Sequence, residues 1–103
     1  MKTLELYATG RVQSVGFRAC VKKVAGNLGI LGEVMNLPDG RVRITATAEE
    51  VILEKFVSML YGCPRAVIRS LEVKEHEPVP FADFSIKRPP DREGSSPERQ
   101  KDR

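Results

Sequence analysis

Along residues 1–88 the apolar positions switch between a period of two and a period of three to four. Leu4, Leu6 and Ala8 alternate with Thr3, Glu5 and Tyr7, the pattern of a half-buried strand. Residues 10–16 interrupt it, with a glycine at each end. From Phe17 the apolar residues fall at Phe17, Cys20, Val21, Val24 and Leu28, one stripe of an amphipathic helix. Gly26 weakens this helix and Gly29 supplies its stop. Residues 32–36 then run into Leu37-Pro38-Asp39-Gly40, a turn composition, and the chain returns with Val42, Ile44 and Ala46 on one face. Thr47 and Glu50 stand as the N-cap and N3 residues of a capping box. The helix they open carries Ile52, Phe56, Met59 and Leu60 and ends near Gly62, with Pro64 beyond. Strands are predicted around 67–74 and at 84–87. The order strand, helix, strand, strand, helix, strand, with a short fifth strand, fits a ferredoxin-like α+β sandwich (βαββαβ): an antiparallel sheet with two helices on one face. That arrangement hosts many unrelated activities, so function has to come from a site.

Composition sharpens the boundaries. Residues 89–103 contain no aliphatic, aromatic, methionine or cysteine residue, so they are expected to form a disordered polar tail after a single domain at 1–88. The 17 Lys and Arg against 14 Asp and Glu give a net charge of +3. The tail's Arg92, Arg99, Lys101 and Arg103 balance its Asp91, Glu93, Glu98 and Asp102, so residues 1–88 carry the whole excess. No apolar run approaches the roughly 20 residues of a membrane span. Glu5 falls where a secretory leader keeps its apolar stretch, and a reducing cytoplasm is the expected location. Cys20 and Cys63 make no metal-ligand spacing. Cys20 reads as a core residue of the first helix and Cys63 as surface or partly buried; a disulfide between them is the lesser alternative. His76 lies in the polar run Lys74-Glu75-His76-Glu77 and reads as solvated, not as a base.

The stretch with chemical content is Gly10-Arg11-Val12-Gln13-Ser14-Val15-Gly16-Phe17-Arg18. It leads from a strand into a helix. Successive backbone N–H groups at such a junction can converge into an anion site, reinforced by the positive end of the helix dipole. Arg18 falls in the first helical turn, where its charge opposes that dipole by about 0.3–1 kcal/mol unless an anion sits between them. Glycine-bounded loops are common, and these residues alone also suit an ordinary connection with a solvated arginine.

The chain resembles the acylphosphatases at two ordered motifs. Gly10-Arg11-Val12-Gln13, with Val15, Phe17 and Arg18, is similar to that family's first signature. Gly32, Val34-Met35-Asn36-Leu37-Pro38-Asp39-Gly40-Arg41-Val42 is similar to its second. The likeness extends to Leu60-Tyr61-Gly62-Cys63-Pro64 and Phe84-Ser85-Ile86-Lys87, and so spans residues 1–88. The resemblance implies hydrolysis of carboxyl-phosphate mixed anhydrides to carboxylate and inorganic phosphate by a monomer, without metal or cofactor. It implies that Arg18 holds the phosphoryl group, Asn36 positions the attacking water, and amides of Gln13, Ser14, Val15, Gly16 and Phe17 cradle the phosphate. These residue types suit that chemistry. Arginine keeps its charge at any working pH and its planar fork matches two phosphate oxygens. Asparagine accepts from a water and donates to an oxygen without adding negative charge.

Three positions depart from the family pattern. Ser14 stands where glycine is usual: at positive φ it would be strained by about 1–2 kcal/mol, whereas at negative φ its hydroxyl can donate to phosphate. Glu33 replaces an aromatic and, by alternation, faces away from Asn36. Ala48 replaces a glycine beside a turn. RNA recognition by the same element order needs aromatics on the central strands, and 41–47 has none, so no nucleic-acid partner is expected. The closer alternative is a catalytically weak phosphate- or carbamoyl-phosphate-binding module, like the acylphosphatase-like domain of hydrogenase-maturation carbamoyltransferases.

Overall fold

A computed structural model of the protein describes residues 1–88, and the tail expected at 89–103 lies outside them. The elements are β1 (Lys2–Arg11), α1 (Phe17–Leu28), β2 (Leu31–Asn36), β3 (Val42–Ala48), α2 (Glu50–Leu60), β4 (Val67–His76) and β5 (Phe84–Lys87). They form one sheet in the order β4-β1-β3-β2-β5. The first four strands pair antiparallel, as the ferredoxin-like reading expects. The short β5 adds to the edge of β2 in parallel, so the complete sheet is mixed.

Register fixes what each face presents. Leu6 stands opposite Ile44 and Ala8 opposite Val42, while Val34 meets Ile44 from the other side. These residues and Ala46 are sealed from solvent and form the floor on which the helices pack. α1 contributes Phe17, Val21 and Ala25; α2 contributes Leu53, Phe56 and Leu60. Met59, expected in the core, is instead exposed, and Leu53 takes the inward position. Burial of each large side chain is worth about 1.5–3 kcal/mol, so packing outweighs the roughly 1 kcal/mol of a missing cap. That comparison matters for α2, whose N-cap is Glu49 with no side-chain cap bond.

The capping box expected of Thr47 and Glu50 does not form, for a reason visible on the far face of the sheet. Thr47 stands opposite Thr3, and their hydroxyl oxygens lie 2.7 Å apart. Val79 N–H donates to Thr3 Oγ1 (3.3 Å), and Thr47 Oγ1 donates to Val79 O (3.5 Å). The two hydroxyls thus anchor the segment 77–83, which carries the chain from β4 at one edge to β5 at the other. A tertiary contact has taken the hydroxyl that a local cap would have used.

Cys20 on α1 and Cys63 beyond α2 form a disulfide, which corrects the reading of two separate thiols; Cys63 is also buried rather than at the surface. The bond ties the end of one helix unit to the start of the other across 43 residues. A cross-link of that span restricts the unfolded chain by about 4 kcal/mol in the loop-entropy account, and measured effects commonly run to 2–4 kcal/mol. Urea unfolding of Cys20→Ala/Cys63→Ala should therefore show a stability loss of about 2–4 kcal/mol with an unchanged native spectrum. An unshifted midpoint would contradict a formed bond.

Candidate active site

The loop from β1 to α1 is shaped by three backbone positions. At Gly10 the β1–β4 register shifts and φ is 135°; a Cβ there would overlap the Val67 carbonyl, so the irregularity in the pairing falls at a residue without one. Ser14 has φ 62° and Gly16 has φ 79°, both left-handed. Gly16 is the N-cap of α1, and no side chain caps this end. Positive φ at Ser14 resolves the alternative left open by the sequence: this is a position that favours glycine, and serine occupies it under strain.

Val12 is buried beneath the loop and Val15 packs against the core. Ser14, Gly16, Phe17 and Arg18 line a cavity of about 190 Å³ at the N-terminus of α1, with Val12, Ala19 and Ile86 completing its wall. Ile86 had no place in the sequence-based site; its partner strand was not evident, and the parallel β2–β5 pairing brings it there. Gln13 turns away from the cavity. Its Nε2 donates both hydrogens to the β2–β3 turn, to Leu37 O and to Arg41 O, each at 2.9 Å. The loop is thereby bolted to the residue that follows Asn36.

Asn36 ends β2, two positions after Val34, and so shares Val34's helix-facing side of the sheet. Val34 pairs with Ile86, which places Asn36 one step further along the same face, toward the loop. Asn36 is not itself part of the cavity wall, but its Oδ1 is buried and receives no hydrogen bond from the described residues. A buried acceptor left unpaired costs about 1–3 kcal/mol, which is why such atoms commonly mark functional positions.

The charges around the turn are arranged away from the cavity. Asp39 accepts from Arg41 N (3.0 Å) and from Arg41 Nε (2.8 Å). The backbone bond from Arg41 is the main reason its carboxyl titrates below the ordinary aspartate range, so the turn keeps this charge into acidic solution. The Arg41 guanidinium also lies 4.7 Å from the centroid of the Tyr7 ring. Glu33, as alternation requires, faces the other side of the sheet and pairs with Arg43 at 3.7 Å. Among the described residues no carboxylate pairs with Arg18, and no acidic residue occupies the first turn of α1. No cluster of three or more His, Cys, Asp or Glu suited to a metal occurs among them. His76 is exposed on β4, with Nδ1 2.8 Å from Glu77 O. The result is a small cavity whose fixed electrostatics are positive: helix N-terminus, loop amides and Arg18.

The βαββαβ sandwich is also what the comparisons with known proteins find. The acylphosphatase family model matches residues 4–86. An acylphosphatase of Archaeoglobus fulgidus is 48% identical over 87 residues, which cover 84% of this chain and 98% of that protein. The crystal structure of an acylphosphatase from Bacillus subtilis superposes with a TM-score of 0.81 at 34% identity, over 84% of this chain and 99% of that one. HypF of T. kodakarensis superposes with a TM-score of 0.78 at 32% identity, over 93% of this chain and 12% of that far longer one. The chain belongs to the acylphosphatase family and is a hydrolase of that kind.

The strain at Ser14 gives a direct test of the loop geometry. Ser14→Gly should relieve about 1 kcal/mol net, once glycine's larger unfolded-state entropy is subtracted, and raise the thermal midpoint by about 4–8 °C. A midpoint that stays put or falls would show that the loop does not hold residue 14 in the left-handed region.

Proposed function

We propose that this chain hydrolyses carboxyl-phosphate mixed anhydrides, with Arg18 binding the phosphoryl group and Asn36 orienting the water that attacks phosphorus. The cavity at the α1 N-terminus, lined by Arg18 and the left-handed loop positions Ser14 and Gly16, carries this reading. An acyl phosphate already has a good leaving group, so the protein has to position water and stabilise charge on the phosphoryl oxygens. The amides of residues 13–17 and the Arg18 fork supply the stabilisation, in a site that needs no reorganisation as charge shifts. An asparagine side chain suits the water-orienting role, since its Oδ1 accepts a hydrogen from water while its NH2 donates to a phosphoryl oxygen, and Asn36 Oδ1 has no donor among the described residues to displace. The water's oxygen bonds to phosphorus as the bond to the acyl oxygen breaks. The carboxylate leaves with that electron pair, and a phosphoryl oxygen takes the water's proton, since the cavity wall offers neither carboxylate nor imidazole among the described residues.

Two observations favour a second reading, a phosphate- or carbamoyl-phosphate-binding module of weak turnover. One is the strained Ser14 inside the cradle; the other is the similarity to a small part of HypF. Benzoyl phosphate turnover separates the two. Wild type should release phosphate rapidly, Arg18→Ala should lose about 10²–10³-fold and Asn36→Ala about 10²-fold in kcat, consistent with removing one transition-state contact each. The rate should follow pH through ionisation of the substrate phosphate alone. Wild-type turnover no faster than Arg18→Ala would leave the binding module standing, and a profile demanding an enzyme carboxylate or imidazole would overturn the proton route.

A further inference from the structure

Arg65 lies nearly fifty residues from the loop in sequence, yet its guanidinium reaches the site. Its Nη2 stands 3.8 Å from the point a Cβ on Gly16 would occupy, at the N-cap of α1. The backbone that delivers it is unusual. Arg65 has φ 67°, one of two non-glycine residues in the left-handed region among the described residues, and the other is Ser14 in the same loop region as Gly16. It follows Pro64, whose ring fixes its own φ, and Cys63, which is buried and bonded to Cys20 two positions past Arg18. The disulfide therefore couples the segment holding Arg65 to the same turn of α1 that holds Arg18.

The orientation of the exposed Arg65 side chain places its charge beside the loop. Beyond α2 it would suit that helix's negative C-terminus, but its guanidinium points instead at the positive N-terminus of α1. No carboxylate among the described residues lies within salt-bridge distance of it. Arg65 is exposed, and it is absent from the cavity wall that Arg18 helps to form. Arg65 therefore stands beside Gly16, outside the wall that Arg18 helps to form.

We propose that Arg65 is a specificity-determining residue that selects acyl phosphates bearing a second anionic group, such as a carboxylate, on the acyl portion. This inference rests on the site being one for acyl phosphates. A planar guanidinium at the rim pairs with a carboxylate in a forked geometry, which gives selectivity in the part of the substrate that the phosphate cradle does not read. Because the pair is exposed, its effect is modest and weakens with salt.

Binding of non-hydrolysable isosteres tests this without requiring turnover. The probes are acetonylphosphonate, which mimics acetyl phosphate, and 5-phosphonolevulinate, which adds a terminal carboxylate to the same ketophosphonate. Titration calorimetry with the full chain at low ionic strength should give about fivefold tighter binding of the carboxylate-bearing probe. Arg65→Asn, whose side chain tolerates left-handed backbone, should bring that ratio close to one and leave acetonylphosphonate affinity unchanged. Arg65→Lys, which keeps the charge, should retain part of the preference. The same ratio in wild type and Arg65→Asn, an equal loss of both probes, or no binding of either probe to wild type would each overturn the proposal. Acetonylphosphonate binding with no turnover of benzoyl phosphate would overturn hydrolysis instead, with the Arg65 ratio still measurable.

Discussion

The side-chain amide of Gln13 spends both of its hydrogens on carbonyls of the β2–β3 turn, and this bridge sets the two halves of the site against each other. On one side is the loop that leaves β1 at Gly10, passes through left-handed backbone at Ser14 and Gly16, and enters α1 at Phe17. On the other is the end of β2, where Asn36 precedes the turn. The ladders end here, at the pairs Arg11 with Val67 and Asn36 with Val42. The turn is braced by Leu37 N to Arg41 O, by Gly40 N to Leu37 O and by Asp39 clasping Arg41. Gln13 then transmits that rigidity to the loop. A side chain expected to contribute its backbone amide to the cradle also does structural work with its head group.

Above this bridge, the architecture favours an anion by a summation of weak terms. The α1 dipole, the unsatisfied amides of its first turn, and Arg18 all present positive charge to a cavity of about 190 Å³. Each term is about 1 kcal/mol or less at a surface, but they are fixed in place by the buried Phe17 and Val12 on either side of the loop. Such preorganisation suits phosphoryl transfer, where charge is redistributed and few covalent tasks fall to the protein. Membership of the acylphosphatase family, shown by matches along residues 4–86, is consistent with that physics.

Much of this was legible in the residues. The period switch at Phe17 located α1, and Pro38-Asp39-Gly40 located the hairpin, because both signals are local. Arg18 and Asn36 drew notice through the two stretches that resemble the acylphosphatase signatures. What escaped was decided by contacts distant in sequence. Thr47 carried a valid local cap signal, yet Thr3 and Val79 claimed its hydroxyl. The alternation of Phe84 and Ile86 marked a strand but could not say that it would lie parallel to β2 and bring Ile86 to the cavity. Cys20 and Cys63 had no spacing rule to pair them, and Arg65 had no motif at all. The sign of φ at Ser14 was undecidable from residue type; the backbone settles it at 62°.

The central claim is that the site holds the phosphoryl group and directs water at phosphorus, not at the acyl carbon. Hydrolysis of benzoyl phosphate in ¹⁸O-labelled water, with the products resolved by mass spectrometry, tests this most directly. One labelled oxygen is expected in the inorganic phosphate and none in the benzoate. Label in the benzoate would contradict the claim, because water would then have attacked the carbonyl carbon instead of phosphorus.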